Sequence, residues 1–192
     1  MKHFYSLLLL LCLVGCGNNR PQAAPSEDAD VIAQDSVRIK EQHAYLVVIS
    51  KEQMTLSVVD YQSRVVASYP MACGKNYGDK RISGDMKTPE GVYKVQMIQN
   101  ASSWTHDFKD GKGEIKGAYG PYFIRLYTPP HKGIGIHGTH DESSIGKRVT
   151  EGCIRLHNAD LKKLVDFVYP GMPVIITPSQ RDIEATVASE PK

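Results

Sequence analysis

The alternation of apolar and polar positions changes texture at Ala44. Beyond it come short runs rich in β-branched and aromatic residues, at 45–49, 54–59, 65–71, 92–98, 122–127, 134–137 and 174–177. Runs of that length, broken by Gly, Pro, Asp and Asn, predict a mainly β domain with mostly antiparallel strands. The first two runs predict a hairpin turning at 51–53, and Pro89-Glu90-Gly91 predicts a turn leading into the fourth. One stretch has helical spacing instead. Leu161, Leu164, Val165 and Val168 share a face between a capping Asn158 and the Pro170-Gly171 stop, which predicts one C-terminal amphipathic helix over 159–169 with its stripe in the core. The glycine-rich stretch 109–120 predicts a mobile loop near the functional site.

Before residue 44 the pattern differs. Met1-Lys2-His3 is followed by an apolar run over 7–13 and then Val14-Gly15-Cys16, the layout of an export signal and too short to span a bilayer. Leu13-Val14-Gly15-Cys16 resembles a bacterial lipobox, in which the signal is cut before the cysteine and Cys16 receives lipid. An ordinary secretory signal that contains a cysteine is the alternative. The expected organisation is a signal over 1–15, an anchor and polar tether over 16–43 with a sparse short helix at 31–43, a domain over 44–178, and a tail over 179–192. The expected location is the cell envelope, on a membrane and facing the periplasm, because two or more acyl chains hold a protein stably on a bilayer.

Composition narrows the class. With 192 residues, 41% apolar and 23% charged, the chain has room for one packed domain and an appendage. Residues 44–178 hold 17 Lys and Arg against 13 Asp and Glu, a modest excess that suits an anionic cell-wall polymer and equally suits solubility. No basic run or RNA-type aromatic motif points to nucleic acid. In an exported chain Cys12 leaves with the signal and Cys16 carries lipid, so Cys73 and Cys153 remain, as one disulfide or as thiols with a nucleophile among them.

Two segments bear on that choice: Ile134-Gly135-Ile136-His137-Gly138-Thr139 and Thr150-Glu151-Gly152-Cys153-Ile154-Arg155-Leu156. A histidine at the end of an apolar strand, followed by glycine, presents its imidazole from a rigid element. A cysteine after glycine, with a guanidinium two residues on, has an open approach and surroundings that favour the thiolate. A metal site built from His137, His140, Cys153 and His157 is the rival reading, weakened because zinc sites usually repeat cysteines and the chain has no C-x-x-C.

At these residues the sequence resembles the L,D-transpeptidase catalytic domain, also called the YkuD domain, which carries a His-Gly-Thr element and then Ser or Thr, any residue, Gly-Cys, commonly Ile-Arg, and Leu or Met. The resemblance runs over 44–178 and includes Ser144-Ile145-Gly146 and Gly171-Met172-Pro173-Val174. It implies a β-sandwich-like fold and no cofactor or metal. It implies a Cys153 nucleophile activated by His137, with the Gly138 carbonyl orienting the imidazole. Backbone N–H groups of Gly152 and Cys153 are the implied oxyanion donors, worth about 3 to 4 kcal/mol each where such donors have been removed in other enzymes. Peptidoglycan stem peptides are the implied partners, with a tetrapeptide donor and a diamino-acid acceptor. Arg155, Thr139 and Tyr122 are candidate substrate contacts, Arg155 alternatively a structural ion pair and Tyr122 alternatively core. Water in place of the amine would make the enzyme an L,D-carboxypeptidase, and a non-catalytic wall-binding lipoprotein is the alternative from another class. Many members have histidine where this chain has Glu151.

Overall fold

The computed structural model describes residues 45–109, 111 and 113–189. The signal, the tether with its short helix, and Cys16 lie outside the described residues.

Period-two burial builds the strands. In β1 (Tyr45–Ser50) Val47 and Ile49 are buried, and in β2 (Thr55–Asp60) Leu56 and Val58 face them. The predicted hairpin forms, with β1 and β2 in antiparallel register from Tyr45↔Asp60 to Ser50↔Thr55. β3 (Val65–Gly74) follows, then β4 (Gly91–Asn100), a small hairpin of β5 (Thr105–Asp107) and β6 (Glu114–Lys116), β7 (Tyr122–Tyr127) and β8 (Gly135–His137). After a 3-10 turn at Glu142–Ser144 come β9 (Arg148–Thr150), β10 (Ile154–Leu156), α1 (Asn158–Val165), β11 (Pro173–Thr177) and α2 (Gln180–Ala188).

Nine strands form one sheet in the order β10-β8-β7-β4-β11-β1-β2-β3-β9, with β3 also pairing β10. The ten-residue β3 makes this possible: it meets β2 along 65–70, β10 at Met71 and Ala72, and β9 at Cys73 and Gly74. The sheet thus curls until its edge strand touches it again, enclosing Met71, Ile124, Ile136, Ile154, Leu156 and Leu161 among the fully buried side chains. Three of its pairings are parallel, β1 with β11, β8 with β10 and β3 with β9, where the apolar pattern alone suggested antiparallel neighbours.

Three expectations change. The helix after β10 runs only Asn158–Val165, and His157, not Asn158, occupies its cap position. The glycine-rich 109–120 stretch carries β6, paired antiparallel with β5. The stretch 179–192 holds a second helix, α2, whose Ser179 and Asp182 form a reciprocal capping box. That helix was hidden because its hydrophobic residues Ile183 and Val187 are exposed, leaving no apolar stripe to read.

α2 is held by charge. Asp182 is fully buried and accepts from Gly78 N–H at 2.8 Å, with Lys51 Nζ at 3.1 Å and Arg148 Nη2 at 2.5 Å. Lys51, expected in the hairpin turn, is itself fully buried and bonds Glu90 at 2.5 Å. Burial pushes the Asp182 carboxyl up, but hydrogen bonds from Ser179 and Gly78 and the Lys51 charge outweigh it and hold the pKa at about 2. A depressed carboxyl contributes stability above its unfolded pKa and loses it as pH falls toward the folded value. Asp182→Asn is therefore expected to cost about 3 to 5 kcal/mol at neutral pH, because it takes the carboxylate away from the buried Lys51 and from Arg148. Urea unfolding at pH 7 and near pH 3 checks this, with the deficit expected to shrink at the lower pH.

Candidate active site

β8 ends on His137, and β10, which pairs with it, begins directly after Cys153. They run parallel with Ile154 beside Ile136 and Arg155 beside His137. Registered neighbours share a face of a sheet, so Arg155 and His137 project to the same side.

His137 is 3% exposed, stacked on Phe123 at 5.7 Å between centroids and met edge-on by Tyr119 at 5.0 Å. Its Nδ1 lies 2.6 Å from the Gly138 carbonyl, a contact in which the ring donates, so the proton sits on Nδ1 and Nε2 keeps a lone pair. Burial drives the imidazole pKa down to about 3 against the pull of that carbonyl, with the Arg155 charge adding to the fall. His137 is thus a neutral base at physiological pH.

The Gly138 loop is set by a residue that the sequence reading took for a helix cap. Asn158 Oδ1 accepts from Thr139 N–H at 2.8 Å and its Nδ2 donates to the Thr139 carbonyl at 2.8 Å. A Cβ at residue 138 would stand 2.1 Å from Asn158 Oδ1, so the position after the histidine takes only glycine. The Thr139 hydroxyl donates to the Asp141 carbonyl and accepts its N–H, and at 2% exposure it braces the loop and does not line the cleft beside Cys153.

Cys153 follows Gly152, whose φ of +132° and whose phantom Cβ, 2.7 Å from the Lys87 carbonyl, exclude any side chain. Thr150 Oγ1 donates to the Cys153 carbonyl at 2.6 Å and accepts Gly152 N–H at 3.2 Å. Behind the loop, Thr88 Oγ1 donates to the Gly152 carbonyl at 2.9 Å. The thiol donates to the Gly133 carbonyl at 3.4 Å. Cys153 and Cys73 are both free; Cys73 is fully buried on β3 with its sulfur 3.8 Å from that of Met54.

Burial pushes the Cys153 pKa up to about 11 with help from Glu151, against Gly135 N–H, Arg125 and Arg155. Arg155 is 5% exposed, reaches Ser144 Oγ at 3.1 Å and leaves Nε without a partner. It supports the loop from beneath and does not line the cleft that opens on the sulfur.

That cleft, of about 830 Å³, is lined by Cys153, Glu151, Trp104, Tyr119, Phe123 and Arg125 with the 80–86 and 130–134 loops. Tyr122, a candidate contact, packs against the core instead. The aromatic walls come from Tyr119 and Phe123, the first from the glycine-rich stretch and the second from the neighbouring position on β7. The β5–β6 hairpin lies beside the site: Trp104 and Tyr119, which flank it, meet edge to face at 5.8 Å, and Phe108 lies 5.6 Å from the Arg155 guanidinium. The four residues of the metal reading have separate partners, His140 on Phe108 and His157 on Glu142.

A sequence model of the L,D-transpeptidase catalytic domain, YkuD, matches residues 44–176. L,D-transpeptidase YkuD of Bacillus licheniformis is 33% identical over 134 residues, 70% of this chain and 66% of that protein. Its Bacillus subtilis namesake is 31% identical over 162 residues, 81% and 82% of the two chains. Among solved structures, the helical cell shape determining protein Pgp2 of Campylobacter jejuni aligns at 25% identity and TM-score 0.55 over 72% of this chain and 49% of its own. The E. faecium L,D-transpeptidase catalytic domain aligns at 19% identity and TM-score 0.52, covering 70% of this chain and 98% of that one, a likeness of fold. The chain spans about half the length of the Pgp2 structure it matches.

A neutral thiol beside a neutral imidazole has a kinetic signature. Alkylation of Cys153 by iodoacetamide is expected to rise about tenfold per pH unit through pH 7 to 9, because thiolate accumulates only as pH approaches its raised pKa of about 11. A plateau below pH 8 in the rate profile, followed by intact mass, would show a preformed ion pair instead.

Proposed function

The chain belongs to the L,D-transpeptidase catalytic domain family, and from that premise we propose that it is a cysteine acyltransferase acting on peptidoglycan stem peptides. The observation that carries this reading is the Nδ1 contact of His137 with the Gly138 carbonyl, which leaves Nε2 as a base at the end of the strand paired with the one that begins after Cys153. The S–H proton leaves the Gly133 carbonyl and passes to Nε2 as sulfur attacks the carbonyl before the terminal D-residue. Because both groups are neutral at rest, transfer and attack run together. The Cys153 N–H faces the developing oxyanion. The C–N bond then breaks, the imidazolium returns its proton to the leaving amine, and a thioester remains on Cys153. An acceptor amine attacks the thioester, His137 removes its proton, and the departing sulfur takes that proton back, restoring the neutral thiol and imidazole. No acidic third member is needed, because the Gly138 carbonyl orients the ring.

The cleft supports a donor of peptide size, and its cations suit a carboxylate-bearing chain. Water in place of the amine would release a trimmed stem from the same thioester. Incubating the full chain, in detergent, with purified tetrapeptide muropeptides separates the outcomes by mass: cross-linked dimers with loss of the terminal residue, or trimmed monomers. Cys153→Ala is expected to abolish both products and His137→Ala to slow acylation by at least about a hundredfold, with the double variant hardly slower than either single one. Full turnover by Cys153→Ala would place the nucleophile elsewhere.

Lipidation at Cys16 and residence on the envelope membrane belong to the same proposal, supported by the Leu13-Val14-Gly15-Cys16 sequence. Cys16→Ser is expected to move the protein out of the membrane fraction, and unchanged fractionation would refute the anchor.

A further inference from the structure

The charges lining the cleft with Cys153 are Lys80, Arg81, Arg125, Lys132 and a single carboxylate, Glu151. Lys80 is neutralised by Asp85 at 2.7 Å. Arg125 donates through Nε to Gln99 at 3.1 Å, and neither it nor Arg81 nor Lys132 has an ion pair among the described residues. Glu151 meets none of these cations. Its Oε2 lies 3.3 Å from His106 Nε2 on the β5–β6 hairpin, and the side chain stays 46% exposed. The Tyr119 hydroxyl sits 3.0 Å from His106 Nδ1. When that hydroxyl donates, Nδ1 accepts and the Nε2 proton points to Glu151. A carboxylate with one oxygen unpartnered among the described residues, next to glycine and two residues from the nucleophile in a cleft of otherwise positive charge, is poised for an incoming cation.

We propose that Glu151 is the subsite for a substrate ammonium group in the acyl transfer described above, on which the inference rests. Its Oε1 has no partner among the described residues and can accept an ammonium N–H in a charge-assisted hydrogen bond. The position also explains an otherwise adverse feature. Glu151 opposes ionisation of Cys153, and a bound ammonium removes that opposition, so the nucleophile ionises more readily with substrate in place. A diamino-acid peptide presents this chemistry in two places, the side chain of the donor and the acceptor amine before it loses its proton.

The test compares wild type with Glu151→Gln and Glu151→Asp, all as the full chain in detergent. In the donor arm, tetrapeptides carrying the diamino acid or norleucine in its place are assayed by release of the terminal residue. In the acceptor arm, a diamino-acid amide is compared with hydroxylamine, which is uncharged at neutral pH. Glu151→Gln is expected to reduce the preference for the ammonium-bearing partner about tenfold in one arm through KM, with Glu151→Asp restoring part of it. The arm affected identifies the source. An equal loss with charged and neutral partners, or an unchanged preference in both arms, overturns the subsite. Alkylation of Cys153 gives a second readout independent of turnover. The diamino-acid amide is expected to raise the rate in wild type at fixed pH and to leave Glu151→Gln unaffected, while Glu151→Gln without ligand alkylates faster than wild type. Failure of the wild type to consume any donor defeats the acyl-transfer reading, and the alkylation result then decides the subsite alone: equal rates in both proteins with and without ligand overturn it.

Discussion

The parallel register of β8 on β10 is the constraint on which the site depends. It sets Arg155 beside His137 and Ile154 beside Ile136, and it does so between two three-residue strands whose side chains are buried on both faces. A slip of one residue would turn the imidazole and the guanidinium to opposite sides of the sheet. Such short strands cannot hold a register alone. β10 is pinned from its other side by Met71 and Ala72 of β3, and β8 by Phe123 and Arg125 of β7, so the curled sheet locks the pair from both flanks.

Burial then decides the chemistry of the thiol and the imidazole. The same enclosure raises one pKa to about 11 and lowers the other to about 3, so charge separation waits for a substrate. The backbone compensates where side chains do not: the Gly138 carbonyl fixes the tautomer, Asn158 fixes Thr139, and Thr150 and Thr88 hold the carbonyls of Cys153 and Gly152. In this family the position before Gly-Cys commonly carries histidine. Here it is Glu151, and a histidine appears across the contact instead, on the β5–β6 hairpin, so that hairpin and the nucleophile loop are joined by one carboxylate–imidazole contact.

Behind the loop the fold uses charge where apolar surface is scarce. α2 exposes Ile183 and Val187 and docks through Asp182, which gathers Lys51 from the first hairpin and Arg148 from β9. Lys51 Nζ also lies 3.4 Å from the carbonyl of Thr88, the residue whose hydroxyl bonds Gly152. A helix beyond the family match at 44–176 is therefore tied, through buried polar contacts, to the backbone beside the nucleophile.

The sequence by itself determined the mainly β class, the long strands and the chemistry-bearing motifs, because each is a local pattern. Alternation at 45–49, 54–59 and 122–127 needs no distant partner to be recognised, and neither does glycine before a cysteine and after a histidine. Only the tertiary structure decided the rest. β5, β6, β9 and β10 are three residues long, too short for a period to show, and exist because neighbours offer them hydrogen bonds. Lys51, Asn158 and Asp182 read as turn, cap and tail because nothing near them in the chain reveals that partners 19 to 131 residues away, Thr139 for Asn158 and Lys51 for Asp182, complete their bonds. Tyr119 lines the cleft and Tyr122 the core because the curl of the sheet, not the spacing of the aromatics, sets which side each faces. The state of the nucleophile was likewise beyond the sequence: nearby arginines suggest a thiolate, whereas desolvation by the assembled walls outweighs them.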